Sequence, residues 1–278
     1  MLFRSNDTAT TEIYTLSLHD ALPIFIVMIS IRGKKHFPQI SVIMVTYNEE
    51  NSIEKAILSV LDQKYENVEL IIIDGKSKDG TADIIRKYED RILNWISEPD
   101  SGIYDAMNKG IRMAKGEWIY FLGADDIILN CLHKVVPYLR RKKTIYYGDV
   151  FLPHKNKTYS GKFKWHTLIS KNINHQSIFY PRMVFDRYQY NERYSILADY
   201  DLNLRCWGEG YFKYRYIPLL IAVHNGDGVS HQQKDEAFIQ DKPSKISIYF
   251  KRRIAYRNSW LNLRTRLVNF IDRSLRLV

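Results

Sequence analysis

The chain of 278 residues has only two cysteines, Cys131 and Cys206, set far apart and in no C-x-x-C pair. That excludes a disulfide framework and a cysteine-rich zinc site, and it suits a reducing compartment. No stretch reaches the ~18 consecutive apolar residues that a membrane-spanning helix requires. The nearest approach, "ALPIFIVMISI" at 21–31, is too short, so no transmembrane helix is expected. A G-x-G-x-x-G after the first apolar run and a G-x-x-x-x-G-K-[ST] are both missing, which weighs against a dinucleotide fold and a P-loop phosphotransferase. The histidines form no H-E-x-x-H, and there is neither an internal repeat nor a low-complexity segment.

Acidic residues are scarce at one end. From Lys245 to Val278 nine Lys/Arg face a single acid, Asp272, so nine minus one gives +8 of the net +10. The remainder is close to neutral, and with 45% hydrophobic residues it can bury a sizeable core. The opening residues read differently again: "NDTATTEIYTLSLHDALPI" resembles a translation of sequencing-adapter DNA and lacks the basic n-region of a signal peptide. Residues 1–27 are therefore expected to be a non-native or disordered leader, with a natural start near Met28.

From Pro38 onward the pattern is regular. "ISVIMVTYN" (40–48), "VELIIIDG" (68–75), "ILNWISE" (92–98) and "WIYFLG" (118–123) read as strands. Between them lie helices: one places Ile53, Ala56, Ile57, Val60 and Leu61 on one stripe, another places Ile103, Met107, Ile111 and Ala114 on one face with Gly116 as a C-terminal cap. Such alternation predicts an α/β fold with a mostly parallel central sheet flanked by helices, whose ligands gather at the carboxyl ends of the strands. Later segments ("TIYYGDV", "SIFYP", "FKYRYIPLLIAVH") read as added strands beside a binding surface, followed by a polar connection and a basic, helix-patterned tail over 233–278.

Chemistry-bearing residues sit at those strand ends. Asp125 and Asp126 are adjacent carboxylates whose repulsion a hard divalent cation with phosphate oxygens would relieve; a solvated loop or helix cap is the other reading. Asp74, before Gly75, suits a ribose hydroxyl or base N–H, or simply a turn. Asp79 fits a turn and a cap for the helix at Thr81. Glu98 and Asp100 close the third strand. In "ILADYDLNLRCW" the acids Asp199 and Asp201 lie near Arg205, and Asp199 suits either a proton acceptor or a helix cap. His175 and Gln176 in "NHQS" read as hydrogen-bonding contacts, structural or to substrate.

In order, "SVIMVTYNEENSIEKAILSVLDQKYENVELIIIDGKSKDGT" and "DSGIYDAMNKGIRMAKGEWIYFLGADD" resemble the family 2 glycosyltransferases, nearest the colanic-acid and O-antigen branch of bacterial surface-polysaccharide enzymes. The resemblance spans about 39–232, is most specific over 40–126, and implies the GT-A nucleotide-sugar fold. It implies that Thr46, Tyr47, Asn48, Asp74, Asp79, Asn108 and Asp125 bind the donor nucleotide. It further implies that Asp125, with Asp126, holds Mg²⁺ or Mn²⁺ and that Asp199 is the catalytic base. Asp100, His175, Gln176 and Arg205 would contact acceptor or diphosphate. Two positions depart from the pattern: Gly123 stands where the first acid of Asp-x-Asp belongs, and Ala198 replaces the Glu before the base.

The implied activity is inverting transfer of a sugar from a nucleoside-diphosphate donor, a UDP-sugar by the fit of Asp74 to a uracil N–H, to a saccharide or lipid-diphosphate-linked acceptor. A catalytically weakened sugar-nucleotide-binding homologue and a nucleotidyltransferase are the alternatives. The basic stretch 245–278 is expected to rest on an anionic membrane surface, not on nucleic acid, which places the protein in the cytoplasm at the inner face of the membrane.

Overall fold

The computed structural model describes residues 38–159, 161–225, 234–251 and 253–255. The expected leader and the basic stretch past residue 255 lie outside the described residues. The first half alternates as β1 (Ile40–Thr46), α1 (Ile53–Leu61), β2 (Val68–Asp74), α2 (Thr81–Arg86), β3 (Asn94–Ser97), α3 (Ile103–Met113) and β4 (Trp118–Gly123). It continues through β5 (Ile127–Ile128), α4 (Leu132–Val135), β6 (Thr144–Leu152), β7 (Lys157–Tyr159), α5 (Trp165–Ser170), β8 (Ile178–Pro181), α6 (Met183–Arg187), α7 (Ala198–Glu209) and β9 (Lys213–Val223). A further helix, α8, covers 236–251.

These strands form one sheet in the order β3-β2-β1-β4-β8-β6-β9-β5, with β7 beside β6. The four strands of the first half are mutually parallel, so Thr46, Asp74, Ser97 and Gly123 come to the same edge. β8 then runs antiparallel to β4, which carries the residues just before it, His175 and Gln176, to the carboxyl end of β4. β9 pairs antiparallel with β5, bringing His224 beside the turn after β4.

Alternation along the strands builds a core on each face. Val42, Met44, Leu70, Ile72, Tyr120 and Leu122 pack with Ile53, Ala56, Ile57 and Val60 of α1 on one side. Ile43, Val45, Ile71, Ile73, Ile119 and Phe121 pack with Tyr104 and Met107 of α3 on the other. Each such aliphatic side chain removed from water contributes roughly 1.5–3 kcal/mol.

The face of α3 differs from the expected one. Tyr104, Met107, Asn108 and Gly110 turn inward, whereas Ile103 is 42% exposed, because Gly110 lets the helix settle against Ile43 of β1. Nor does Gly116 cap that helix: α3 ends at Met113, and a Cβ on Gly116 would lie 2.6 Å from the Ser41 backbone nitrogen. Close approach to β1 is what requires glycine there.

The region after 232 is not merely a tail. Phe238 and Phe250 of α8 are buried, and Phe250 stacks on Trp165 at 6.3 Å. Asp235 caps α8 by accepting from the Phe238 N–H at 3.0 Å, and it also accepts from the N–H groups of Ile196 and Leu197, each at 2.9 Å. Lys245, counted above among the basic residues, is an internal partner of Asp201 at 2.7 Å.

Candidate active site

The edge formed by the ends of β1 and β2 is held together by side chains before any ligand is considered. Asn48 adopts φ 56° and accepts from the Lys78 N–H at 2.8 Å, while its own N–H donates to Ser77 Oγ at 2.8 Å. Glu50 ties down the Asp79–Gly80 turn: its N–H donates to Asp79 at 3.1 Å, and its carboxylate accepts from the Gly80 N–H at 2.7 Å. Burial opposes ionisation of Asp79, but bonds from Thr81 and from the Glu50 N–H hold its carboxyl below the usual carboxylate range. Asp74 is fully buried and accepts from Ser77 and Ser97. Thr46 Oγ1 is buried with no hydrogen-bond partner, and Tyr47, 55% exposed, stands at the rim.

Gly75 follows Asp74, and a Cβ there would lie 2.6 Å from Asp100 Oδ2, so Asp100 closes down on this backbone. Burial raises the carboxyl of Asp100 above its ordinary value. Lys109 fixes the adjoining loop through Glu98 at 2.9 Å and the Pro99 carbonyl at 2.8 Å.

After β4, Asp125 and Asp126 part company. Asp126 is wholly buried: His224 Nδ1 donates to Oδ1 at 2.9 Å, the Asn225 N–H to Oδ1 at 3.0 Å, and Gln176 Nε2 to Oδ2. Asp125 is half-buried; burial first, then the charges of Asp126 and Glu49, push its carboxyl up to about 6. Concentrated negative charge of this kind favours a cation, and one carboxylate with phosphate oxygens is a fitting donor set for Mg²⁺ or Mn²⁺. Among the described residues no three His, Cys, Asp or Glu side chains form a ready-made metal cage. At Gly123 a Cβ would lie 2.7 Å from Asp126 Oδ2 and 2.8 Å from Asp125 Oδ1. The two carboxylates occupy the room that a side chain at 123 would need.

Asp199 is the second residue of α7 and 6% exposed. The Tyr104 hydroxyl, shared with the Ile196 carbonyl at 2.5 Å, lies 3.1 Å from Asp199 Oδ1, while the Tyr200 N–H donates to Oδ1 at 2.7 Å and Asn172 Nδ2 to Oδ2 at 2.8 Å. Burial outweighs these bonds and pushes the carboxyl up to about 6. His175 Nδ1 lies 3.7 Å from Asp199 Oδ2, and burial followed by the His224 charge lowers that imidazole to about 4, leaving it neutral at pH 7. His175 and Gln176 thus link the Asp199 side to the Asp125–Asp126 side.

Residues 41–201 match the sequence profile of Glycosyl transferase family 2. The chain belongs to that family. A PGL/p-HBAD biosynthesis glycosyltransferase of Mycobacterium tuberculosis is 32% identical over 233 residues, covering 80% of this chain and 91% of that protein. The putative teichuronic acid biosynthesis glycosyltransferase TuaG of Bacillus subtilis is 42% identical over 92 residues, 32% of this chain and 36% of that one. Among solved structures, mannosyltransferase PcManGT of Pyrobaculum calidifontis, in complex with GDP-Man and Mn²⁺, superposes with a TM-score of 0.56 at 18% identity, covering 84% of this chain and 71% of that one. S. aureus TarS 1–349 with UDP-GlcNAc gives 0.56 at 15% identity, covering 70% and 61%. At such identities the structural likeness establishes the GT-A fold.

Two expected site residues of this family 2 glycosyltransferase are engaged by other parts of the protein. The Asn108 amide is buried and engaged by protein, donating to Tyr190 O and Glu192 and accepting from the Tyr190 N–H. Arg205 pairs with Glu209 at 3.2 Å and lies over the Tyr188 ring at 4.4 Å, away from the Asp199 bonds. Ala198 is buried at the start of α7. Tyr104 and Asn172, which contact Asp199, were not singled out from the sequence. His224 and Asn225, which contact Asp126, lie in "VHNGDGVSH", one of the two histidine-bearing stretches that stood out there. His224 had one usable signal: like Asp74, it follows directly on an apolar strand.

Proposed function

We propose that the chain is an inverting glycosyltransferase that moves a sugar from a UDP-sugar to a hydroxyl of a saccharide or lipid-linked acceptor during surface-glycan synthesis. The observation that carries this reading is Asp199: a buried carboxylate pushed up to about 6, joined through the consecutive residues His175 and Gln176 to the Asp125–Asp126 turn. A carboxylate so placed is largely ionised at pH 7 yet more basic than an exposed one, as a general base requires.

The residues divide the work. Tyr47, Asn48, Asp74 and Asp100 surround the nucleoside at the ends of β1, β2 and β3. Asp125 would hold Mg²⁺ or Mn²⁺ together with diphosphate oxygens; bound there, the cation supplies Lewis-acid neutralisation of the leaving diphosphate. Tyr104 and Asn172 orient Asp199, which takes the proton from the acceptor hydroxyl as that oxygen attacks the anomeric carbon. A neutral His175, 3.7 Å away, does not compete for the proton. The relatives' part in glycan biosynthesis and the nucleotide sugars held by the structural neighbours support this assignment.

The test is incubation with UDP- and GDP-sugars plus Mn²⁺, following transfer and donor hydrolysis by NMR. Release of sugar or product with the anomeric configuration inverted is expected. Donor binding without turnover would point instead to a binding homologue, and retained configuration would refute inversion.

The basic stretch supports an anionic membrane surface as the docking place, with each Lys/Arg near the surface contributing about 1 kcal/mol. Because Phe250 is part of the core, the informative comparison is the full chain against one ending at residue 255. Equal sedimentation with phosphatidylserine vesicles would dismiss this docking.

A further inference from the structure

The two adjacent carboxylates after β4 have separate tasks. We propose that Asp126 is a positioning residue, a buried latch that fastens the end of β9 to the β4–β5 turn through His224, Asn225 and Gln176, so that Asp125 alone is offered to a cation. This rests on the reading of Asp125 given above.

Four contacts define the latch. His224 Nδ1 and the Asn225 N–H converge on Asp126 Oδ1 at 2.9 and 3.0 Å, Gln176 Nε2 donates to Oδ2, and Asn225 Nδ2 donates to the carbonyl of Asp125 itself. Asp126 is wholly buried, whereas Asp125 is not. A carboxylate already accepting three hydrogen bonds from the protein has little to give a metal. It does, however, fix where the neighbouring residue stands. The same latch accounts for Gly123, since the Asp126 carboxylate lies across the space of a side chain there and three donors prevent it from moving aside.

Gln176 Oε1 is buried and has no partner. That makes one substitution conservative in an unusual sense. In Asp126→Asn the new side-chain oxygen still accepts from His224 and Asn225, and its amide can donate to Gln176 Oε1 once the Gln176 amide turns over. Asp126→Ala offers nothing and strands three donors, the buried Gln176 amide and the half-buried His224 ring and Asn225 N–H.

The experiment compares wild type, Asp125→Asn, Asp126→Asn and Asp126→Ala by Mn²⁺ EPR titration in the presence of UDP and by thermal melting without ligand. Asp125→Asn should abolish saturable Mn²⁺ binding while melting no lower than wild type. Asp126→Asn should lower Mn²⁺ affinity by no more than about 10–100-fold, the scale of a change outside the metal's own ligands. Its melting temperature should stay close to wild type, with Asp126→Ala melting several degrees lower, about the shift expected for a lost buried hydrogen-bond set. If Asp126→Asn loses Mn²⁺ as completely as Asp125→Asn at unchanged melting temperature, Asp126 is a ligand and the proposal fails. Equal melting of wild type and Asp126→Ala overturns it as well. Should wild type itself bind no Mn²⁺ with UDP, the donor-site reading fails, and the melting comparison still judges the latch.

Discussion

Replacing Asp199 by Asn tests both the chemistry and the energetics of the buried carboxylate proposed as the base. Its carboxyl stands at about 6 against an ordinary 3.8. Each unit is worth 1.36 kcal/mol, so keeping the ionised form in its pocket costs the native state about 3 kcal/mol at neutral pH. The sign follows from proton counting. Between the unfolded and folded values the native state binds more protons than the unfolded chain, so stability falls as pH rises from about 4 to about 6 and levels off above. The Asn variant lacks that slope. Urea unfolding of both proteins from pH 4 to pH 7.5 should show their difference in stability changing by about 3 kcal/mol, with wild type losing ground. Lost or altered bonds to Tyr104 and Asn172 shift the whole difference and leave its pH dependence intact. Asp125 titrates in the same range, but it is present in both proteins and cancels. In activity, kcat/KM of wild type should rise through a limb near pH 6, and the variant should be slower by about 10²–10⁴-fold without it. Parallel stability curves, or a variant that retains transfer and the limb, would refute the reasoning.

Three further outcomes follow from the geometry. Gly123→Ala should lower stability by about 1–3 kcal/mol in thermal melts, because Asp126 cannot yield to the new methyl group; an unchanged melting temperature would dismiss the crowding. Asp125→Asn should stabilise the metal-free protein at pH 7, since a carboxyl raised by burial and by Asp126 favours its neutral form, and this gain should vanish below about pH 4. Asp235→Ala should cost about 1–3 kcal/mol in urea unfolding by stranding the N–H groups of Ile196, Leu197 and Phe238; amide exchange that is unaltered at Ile196 and Leu197 would contradict it.

Where neighbours in sequence are neighbours in space, the fold was legible. The apolar runs at 40–46, 68–74 and 118–123 pair directly, and the stripe Ile53–Ala56–Ile57–Val60 is the buried face of α1. Legibility failed where partners are distant. β8 slips antiparallel between β4 and β6, and no local pattern announces that His175 and Gln176 thereby arrive beside Asp126. Ile103 looked like a core residue by hydrophobicity, yet the glycine that seats α3 against β1 rotates it outward. Asp125 and Asp126 were alike in sequence. Only the donors brought by β9 and by the turn before β8 distinguish them, and those lie 98, 99 and 50 residues further along the chain. Asn108 stood in a promising helix, but an amide can brace a loop as well as touch a ligand.

Asp235 has a bearing on what counts as the unit of this enzyme. The stretch recognised as common to the family ends at residue 201, just past the proposed base. The backbone leading into that base is nevertheless held by a carboxylate from 235, and the helix that begins there closes the core with Phe238 and Phe250. The stretch that matches the profile therefore does not carry all the packing around Asp199: the backbone before it is held by a segment beyond residue 201. Any exchange of domains between relatives would have to carry residues through 250 as one piece, or deliver a base whose seat has been left unbuilt.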